Sequence, residues 1–350
     1  MIVSFPTPPR RILIIKPSAI GDIVHALPVL SLLHRRWPEA KVSWVVTPAC
    51  AGLLERHPLL DEVIVFNRHR FGHAWRSPTA ALALWRVGRD FRRRNFDLVI
   101  DLQGLFRSGW MAWQTRAPIR VGYSQAREGG WAFYTHRVPN TPLSVQAVER
   151  YLRMADALGL GREPVEFRFA TNDADRAAVS EKLSALPPGS RYAVLLPGTN
   201  WATKRWPAES FAALVGPLRE RYGLESIVAG GPGDVGLASG IPAINVAGKT
   251  SLRELVALLV RADLVIANDS GPMHIAAALG RPLVALYGPT SPERTGPHGR
   301  MESVLRVDLP CAACYSRRCS HHSCMRWLRP ADVLALAGEQ LRAHGSHATL

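Results

Sequence analysis

Asn268, Asp269, Ser270, Gly271 and Pro272 stand in succession between an apolar, β-branched run, Leu264 to Ala267, and a stretch of helical spacing, Met273 to Leu279. The pattern is strand, loop, helix, with a second strand expected at Leu283 to Tyr287. In a parallel α/β sheet such a loop lies at the carboxyl end of its strand, where ligands bind, and helix N-terminal amides point outward from it. That environment holds an anion. Asp269 adds a carboxylate suited to a sugar hydroxyl, and Gly271 lets a ligand approach bare backbone. The same residues also suit a plainer task, with Asp269 and Ser270 serving only as helix caps.

Three further loops repeat this grammar. Lys16-Pro17-Ser18-Ala19-Ile20-Gly21-Asp22 follows the apolar run Arg11 to Ile15 and precedes a helical stretch marked by Ile23, Leu27, Leu30 and Leu33. Asp22 there is either a helix cap or a general base that takes a proton from an acceptor hydroxyl, with Lys16, Ser18 and His25 flanking it. Asp101 to Ser108 closes another strand with a polar loop. Pro197 to Pro207 contains Thr199 and Lys204 ahead of a helix opening at Ala208, a hydroxyl donor and an ammonium suited to a pyrophosphate. Lys204 taken by itself reads equally well as a surface lysine. Gly230 to Gly236 formally contains G-x-G-x-x-G, but Pro232 lies between its first two glycines and it does not open the domain, so a dehydrogenase fingerprint is rejected. Asp234 stays a candidate ribose ligand.

Cys311, Cys314, Cys319 and Cys324 give C-x2-C-x4-C-x4-C, with His321 and His322 between them. This spacing fits a structural zinc, and it equally fits reduced, unliganded thiols. No catalytic metal follows from it.

The elements that must position these loops alternate strand and helix twice, which predicts two doubly wound parallel sheets. A chain of 350 residues is also long for one hydrophobic core. The expected division is 1–170, 171–328, and a closing amphipathic helix within 329–350 packed back on the first half. No apolar run reaches bilayer length and the N-terminus lacks a secretory pattern, so a cytoplasmic location is expected. Lys plus Arg number 43 against 28 Asp plus Glu, a formal charge of +15 that calls for an anionic partner: nucleic acid, an anionic membrane face or a phosphorylated substrate. The arginines cluster at Arg68–Arg76, Arg86–Arg94 and Arg116–Arg127, all in the first half. In Gln125 to His136 they mix with Trp131 and Tyr134, as in a flexible lip over a phosphorylated sugar. No nucleic-acid-binding signature accompanies them.

Lys16 to His25, Asp101-Leu-Gln-Gly104, Gln125-Ala-Arg-Glu128, Pro197-Gly-Thr199 with Lys204-Arg-Trp-Pro207, Asn268 to His274 and Tyr287-Gly-Pro-Thr290 together resemble the ADP-heptose:lipopolysaccharide heptosyltransferases of glycosyltransferase family 9. The resemblance spans nearly the whole chain. It implies a GT-B fold, two Rossmann-like doubly wound domains facing a central cleft, the first binding acceptor and the second the sugar nucleotide. It assigns Asp22 as base, Thr199 and Lys204 to phosphate, and Asp269, Ser270, Gly271 and His274 to the heptose and diphosphate. Thr250 falls by the adenine pocket, Asp234 matches a ribose ligand, and Arg107, Arg120 and Arg127, with Lys16 and Ser18, fall on the acceptor side. The implied reaction is inverting and needs no cofactor. Its implied donor is ADP-heptose and its acceptor a phosphorylated Kdo-lipid A or inner core at the cytoplasmic face of the inner membrane. The loop at Gln125 is more similar to the first heptosyltransferase, which acts on Kdo, and the cysteine tail to the second, which acts on heptose. A GT-B-shaped nucleotide-sugar epimerase is the alternative from another class.

Overall fold

A computed structural model of the chain describes residues 3–67, 78–142 and 144–345; the arginines from Arg68 to Arg76 lie outside them. Two compact units divide the chain, Met1–Ala170 and Thr171–Leu350. The first runs β1 (Arg11–Ile15), α1 (Ile20–Arg36), β2 (Lys41–Val46), α2 (Pro48–Ala51), β3 (Glu62–Val65), α3 (Pro78–Arg93), β4 (Leu98–Asp101), α4 (Phe106–Gln114), β5 (Ile119–Tyr123), a 3-10 segment (Arg127–Phe133), β6 (His136–Val138) and α5 (Ala147–Ala157). The second opens with α6 (Asp173–Lys182), β7 (Tyr192–Leu196), α7 (Ala208–Tyr222), β8 (Glu225–Val228), α8 (Val235–Ala238), β9 (Ile244–Asn245) and α9 (Leu252–Val260). It continues through β10 (Leu264–Asn268), α10 (Gly271–Ala278), β11 (Leu283–Tyr287), α11 (Pro292–Thr295), β12 (Val304–Arg306), α12 (Ser323–Arg326) and α13 (Pro330–Gly345).

Each unit is a six-stranded parallel sheet, ordered β3-β2-β1-β4-β5-β6 in the first and β12-β11-β10-β7-β8-β9 in the second. Both orders reverse direction once, between β1 and β4 and between β7 and β10. At such a switch point the loops leaving neighbouring strands diverge to opposite faces and leave a crevice at the carboxyl ends. The four loops singled out from sequence are therefore two pairs: Lys16–Asp22 beside Asp101–Ser108, and Pro197–Pro207 beside Asn268–Gly271.

The central strands are apolar on both sides because helices cover both faces. On one face of the first sheet Leu13, Ile15, Val45 and Val99 pack with Phe91 of α3 and Met111 and Ala112 of α4. The edge strands β6, β9 and β12, of two or three residues, lack such runs and are not marked in the sequence. The closing helix differs from expectation. α13 belongs to the second unit, where Val333, Leu334 and Ala337 join the core with Phe211, Leu214 and Leu218 of α7. Its apolar stripe covers sheet and helix there, and the Tyr222 hydroxyl donates to Leu334 O at 2.9 Å. No helix among the described residues is long and apolar enough to cross a membrane.

The 3-10 segment is no free-standing lip. A Cβ on Gly109 of α4 would come within 2.6 Å of Gly130 O, and one on Gly130 within 2.8 Å of Leu105 C and O. Two glycines thus let the segment lie directly on α4. A helix-interior Gly→Ala change ordinarily stabilises by about 0.5–1 kcal/mol. Here the contact is with backbone and cannot yield cheaply, so Gly109→Ala is expected to destabilise by about 1–3 kcal/mol in urea unfolding.

Candidate active site

In the second unit Asn268, the last residue of β10, is fully buried and ties the paired loops together. Its Nδ2 donates to Pro197 O at 2.8 Å and its Oδ1 accepts from Trp206 N at 3.1 Å. Beside it, Asp269 is 5% exposed. Its Oδ2 accepts from Lys204 Nζ and from Thr290 Oγ1, each at 2.6 Å, and its carbonyl accepts from Thr199 Oγ1 at 3.0 Å. His274, also buried, stands with Nε2 3.9 Å from Asp269 Oδ1. The Asp269 carboxylate, read from the sequence as a sugar-hydroxyl ligand, gives its Oδ2 to the lysine and Thr290. Thr199, expected to donate to a phosphate, donates to Asp269.

Ser270 occupies the N-cap of α10 but makes no side-chain cap bond, and its buried hydroxyl oxygen has no partner among the described residues. Side-chain capping is therefore not what Ser270 does. Lys204 keeps two further N–H donors and lies 4.7 Å from the centre of the Trp201 ring. An orphan hydroxyl at a helix N-terminus and an anchored ammonium next to it make an anion site.

The ribose and base candidates lie along the same sheet edge. Asp234 accepts from Gly231 N at 2.9 Å, so it closes the glycine-rich turn itself. A Cβ on Gly198 would fall 2.2 Å from this carboxylate, which presses Asp234 against the residue before Thr199. Gly248, at φ +72°, donates its N–H to Gly230 O at 2.9 Å and sets the Thr250 turn alongside. All the residues assigned to the donor thus gather at the carboxyl ends of β7 to β10.

In the first unit Asp22 is in the opening turn of α1, with Oδ2 3.3 Å from Ala19 N and 3.4 Å from Lys16 Nζ. Asp22 is 44% exposed along its side chain and Lys16 only 4%. Lys16 also donates to Gln103 Oε1 at 3.2 Å. An ammonium so enclosed serves as counter-charge to Asp22 rather than as a surface ligand for acceptor. Ser18 lies in the loop between them. Gln103 is in turn held by Asp101, fully buried, which accepts from the Gln103 and Gly104 amides at 2.8 and 3.1 Å and from the Tyr134 hydroxyl at 2.6 Å. Arg107, exposed in the first turn of α4, and Arg127, whose N–H donates to Gly104 O at 2.9 Å, flank this loop. Arg120 does not. It sits towards the amino end of β5, and its guanidinium donates to Phe133 O and Ala117 O at 2.9 and 2.6 Å, so its charge is spent on the fold.

Cys311, Cys314, Cys319 and Cys324 line one cavity of about 310 Å³ with His321 and His322. Among the described residues no three ligand-type side chains are set to hold a metal ion, so the four thiols share a space without forming a coordination sphere. His322 is committed elsewhere, its Nε2 donating to Thr203 O at 2.6 Å.

Two Rossmann-like sheets with polar loops at their switch points give the chain the architecture of the GT-B class. The profile of glycosyltransferase family 9 (heptosyltransferase) matches residues 84–325. Lipopolysaccharide heptosyltransferase 1 of Pseudomonas aeruginosa is 31% identical over 326 residues, 89% of this chain and 88% of that one. The E. coli heptosyltransferase WaaC, solved with ADP-2-deoxy-2-fluoro heptose, is 27% identical with a TM-score of 0.72, covering 94% of this chain and 99% of that one. A family 9 glycosyl transferase from Veillonella parvula, 24% identical with a TM-score of 0.79, covers 95% and 97% and shares the fold. The chain belongs to glycosyltransferase family 9. It is a transferase, and the epimerase alternative is set aside.

Burial pushes the Asp101 carboxyl up, against the hydrogen bonds from Ser108, Tyr134 and the two amides that pull it down. With the folded value above the unfolded one, the folded chain holds the proton more tightly, and this group's share of stability falls as pH rises through that window. Tyr134→Phe removes a donor to the carboxylate and widens the window. It is expected to cost about 1–3 kcal/mol at neutral pH and measurably less in acid, read from urea unfolding at both. An equal loss at the two pH values would show that the Tyr134 bond does not favour the carboxylate over the carboxyl form.

Proposed function

We propose that the chain transfers L-glycero-D-manno-heptose from ADP-heptose to the Kdo of the lipopolysaccharide inner core, with inversion and without a catalytic metal. The observation that carries this reading is the anchored ammonium of Lys204 beside the unpartnered hydroxyl of Ser270 at the N-terminus of α10. Together they supply donors for a departing diphosphate. Asp22, the accessible partner of its ion pair, takes the proton of the acceptor hydroxyl. The oxygen so freed forms a bond to the anomeric carbon as the bond from that carbon to the diphosphate breaks, and ADP leaves with the electron pair. One carboxylate suffices for direct displacement. The names of the relatives and the donor analogue in a solved neighbour support heptose and ADP. In this reading Arg107 and Arg127, which flank the Asp101 loop, meet phosphates of the acceptor. An acceptor carried on lipid A puts the reaction at the cytoplasmic face of the inner membrane, with the enzyme peripheral to it. A second reading, heptosyltransferase II acting on the first heptose, is favoured by the cysteine tail and by the likeness to the E. coli heptosyltransferase II structure. Separately, a structural zinc at the four thiols is proposed only on the strength of their common cavity, on which they would have to close; metal analysis finding none, in protein purified without chelator, overturns that part.

The test is ADP release from ADP-heptose with two purified acceptors, one ending in Kdo and one already bearing heptose, in the presence of EDTA. Release with the Kdo acceptor alone is expected. Asp22→Asn is expected to lower turnover by about 10²–10⁴-fold while donor binding persists. Release only with the heptosylated acceptor would transfer the assignment to the second step, and an Asp22→Asn protein of full activity would sink the base.

A further inference from the structure

The first unit carries exposed aromatic side chains that the reaction does not use. Trp85 is 55% exposed, Phe106 51%, Trp113 49% and Trp131 43%. Among the described residues the only other exposed tryptophan or phenylalanine on that scale is Trp327, in the second unit. Phe106 and Trp113 are seven residues apart on α4, hence one above the other, and they point away from Met111 and Ala112, which face the core. The Phe133 ring of the 3-10 segment lies 5.2 Å from Phe106 and 6.3 Å from Trp113, which joins helix and segment into one apolar surface. The neighbouring helix α3 presents Trp85 with Arg86 and Arg89. Setting aside Arg107 and Arg127, which the reaction uses, and Arg92, which donates to Gln114, α3 still offers Arg86, Arg89 and Arg93 against Asp90.

We propose that this outer face docks on an anionic lipid bilayer, a proposal that rests on the reading of a lipid-linked acceptor. Indole rings with an arginine fringe suit the headgroup level, where the ring body is apolar and its edge wet, and the guanidinium groups meet lipid phosphates. The glycine contact between Gly109 and Gly130 holds the rings as a fixed platform. Other occupants fit less well. A second copy of the chain would set like charges against each other. Single-stranded nucleic acid needs a positively charged groove that tracks its backbone, whereas the connected rings here lie on an outer helix face. The Arg89 and Arg137 guanidinium groups lie 4.7 and 4.8 Å from the Trp85 and Trp131 rings, so charge and apolar surface occur together as an anionic bilayer requires.

The full chain is sedimented with phosphatidylcholine vesicles containing or lacking phosphatidylglycerol, with no acceptor in either. Binding to the anionic vesicles alone is expected, weakening with salt. Trp85→Ser with Trp113→Ser, and separately Arg86→Glu with Arg89→Glu, are expected to weaken it by roughly tenfold or more, and Trp327→Ser to leave it unchanged. Thermal unfolding and transfer to a water-soluble, short acceptor check that each variant is folded and competent. Wild-type protein that ignores anionic vesicles overturns the proposal. So do variants that bind like wild type, a preference for oligonucleotide over vesicles, or a self-association that the variants abolish while vesicle binding persists. Docking without transfer to any acceptor would sink the functional reading and leave this one standing.

Discussion

A carboxylate as enclosed as Asp269 has to be neutralised where it stands. Leaving such an ion unpaired away from water costs several kcal/mol, and removing one partner of a buried pair is worse than never having had the pair. Lys204 and Thr290 meet one carboxylate oxygen, while Thr199 is bound to the carbonyl of the same residue. These groups come from three different loops, after β7, β10 and β11. None of those loops can shift without exposing the charge of Asp269 or stranding that of Lys204. The geometry of the anion site is thus a by-product of a charge that must stay compensated, and the orphan hydroxyl of Ser270 is held open by the same constraint.

The two units use one topology with the polarity of the ion pair reversed. In the first, the lysine is enclosed and the carboxylate exposed, at 4% and 44% along their side chains. In the second, the lysine at 16% is the more accessible partner and the carboxylate at 6% the less. The buried member of each pair fixes the charge and position of the other, and the outer member is the one able to meet a substrate. A carboxylate therefore faces out of the first switch point and an ammonium out of the second. Repetition of a fold gives two crevices; reversal of one pair makes them chemically different.

Much of this was legible in the sequence. Short β-branched runs ending in polar turns mark strand ends, and strand ends are where parallel sheets bind ligands. What was not legible was which polar group would be consumed by another. Thr290 lies 21 residues from Asp269, and Asn268 some 71 from Pro197, and only the strand order brings them together. Arg120 looked like its neighbours in a basic cluster, yet its register at the amino end of β5 turned its charge towards carbonyls of its own unit. α13 was read correctly as amphipathic, but an apolar stripe carries no address. The short edge strands left no periodicity to read.

The cysteine segment is where this distinction between support and chemistry matters most. Its backbone reaches the Lys204 turn: Thr203 Oγ1 donates to Ser316 O at 2.9 Å, and His322 donates back to Thr203 O. Arg317 and Lys204 each lie 4.7 Å from the centre of the same Trp201 ring. These bonds involve none of the thiols, so the segment braces the Lys204 turn whether or not the thiols hold an ion. A metal drawn into the shared cavity would tighten a brace that already exists, one residue removed from Lys204. Its effect on the reaction would therefore be felt as the placing of an ammonium and not as chemistry of its own.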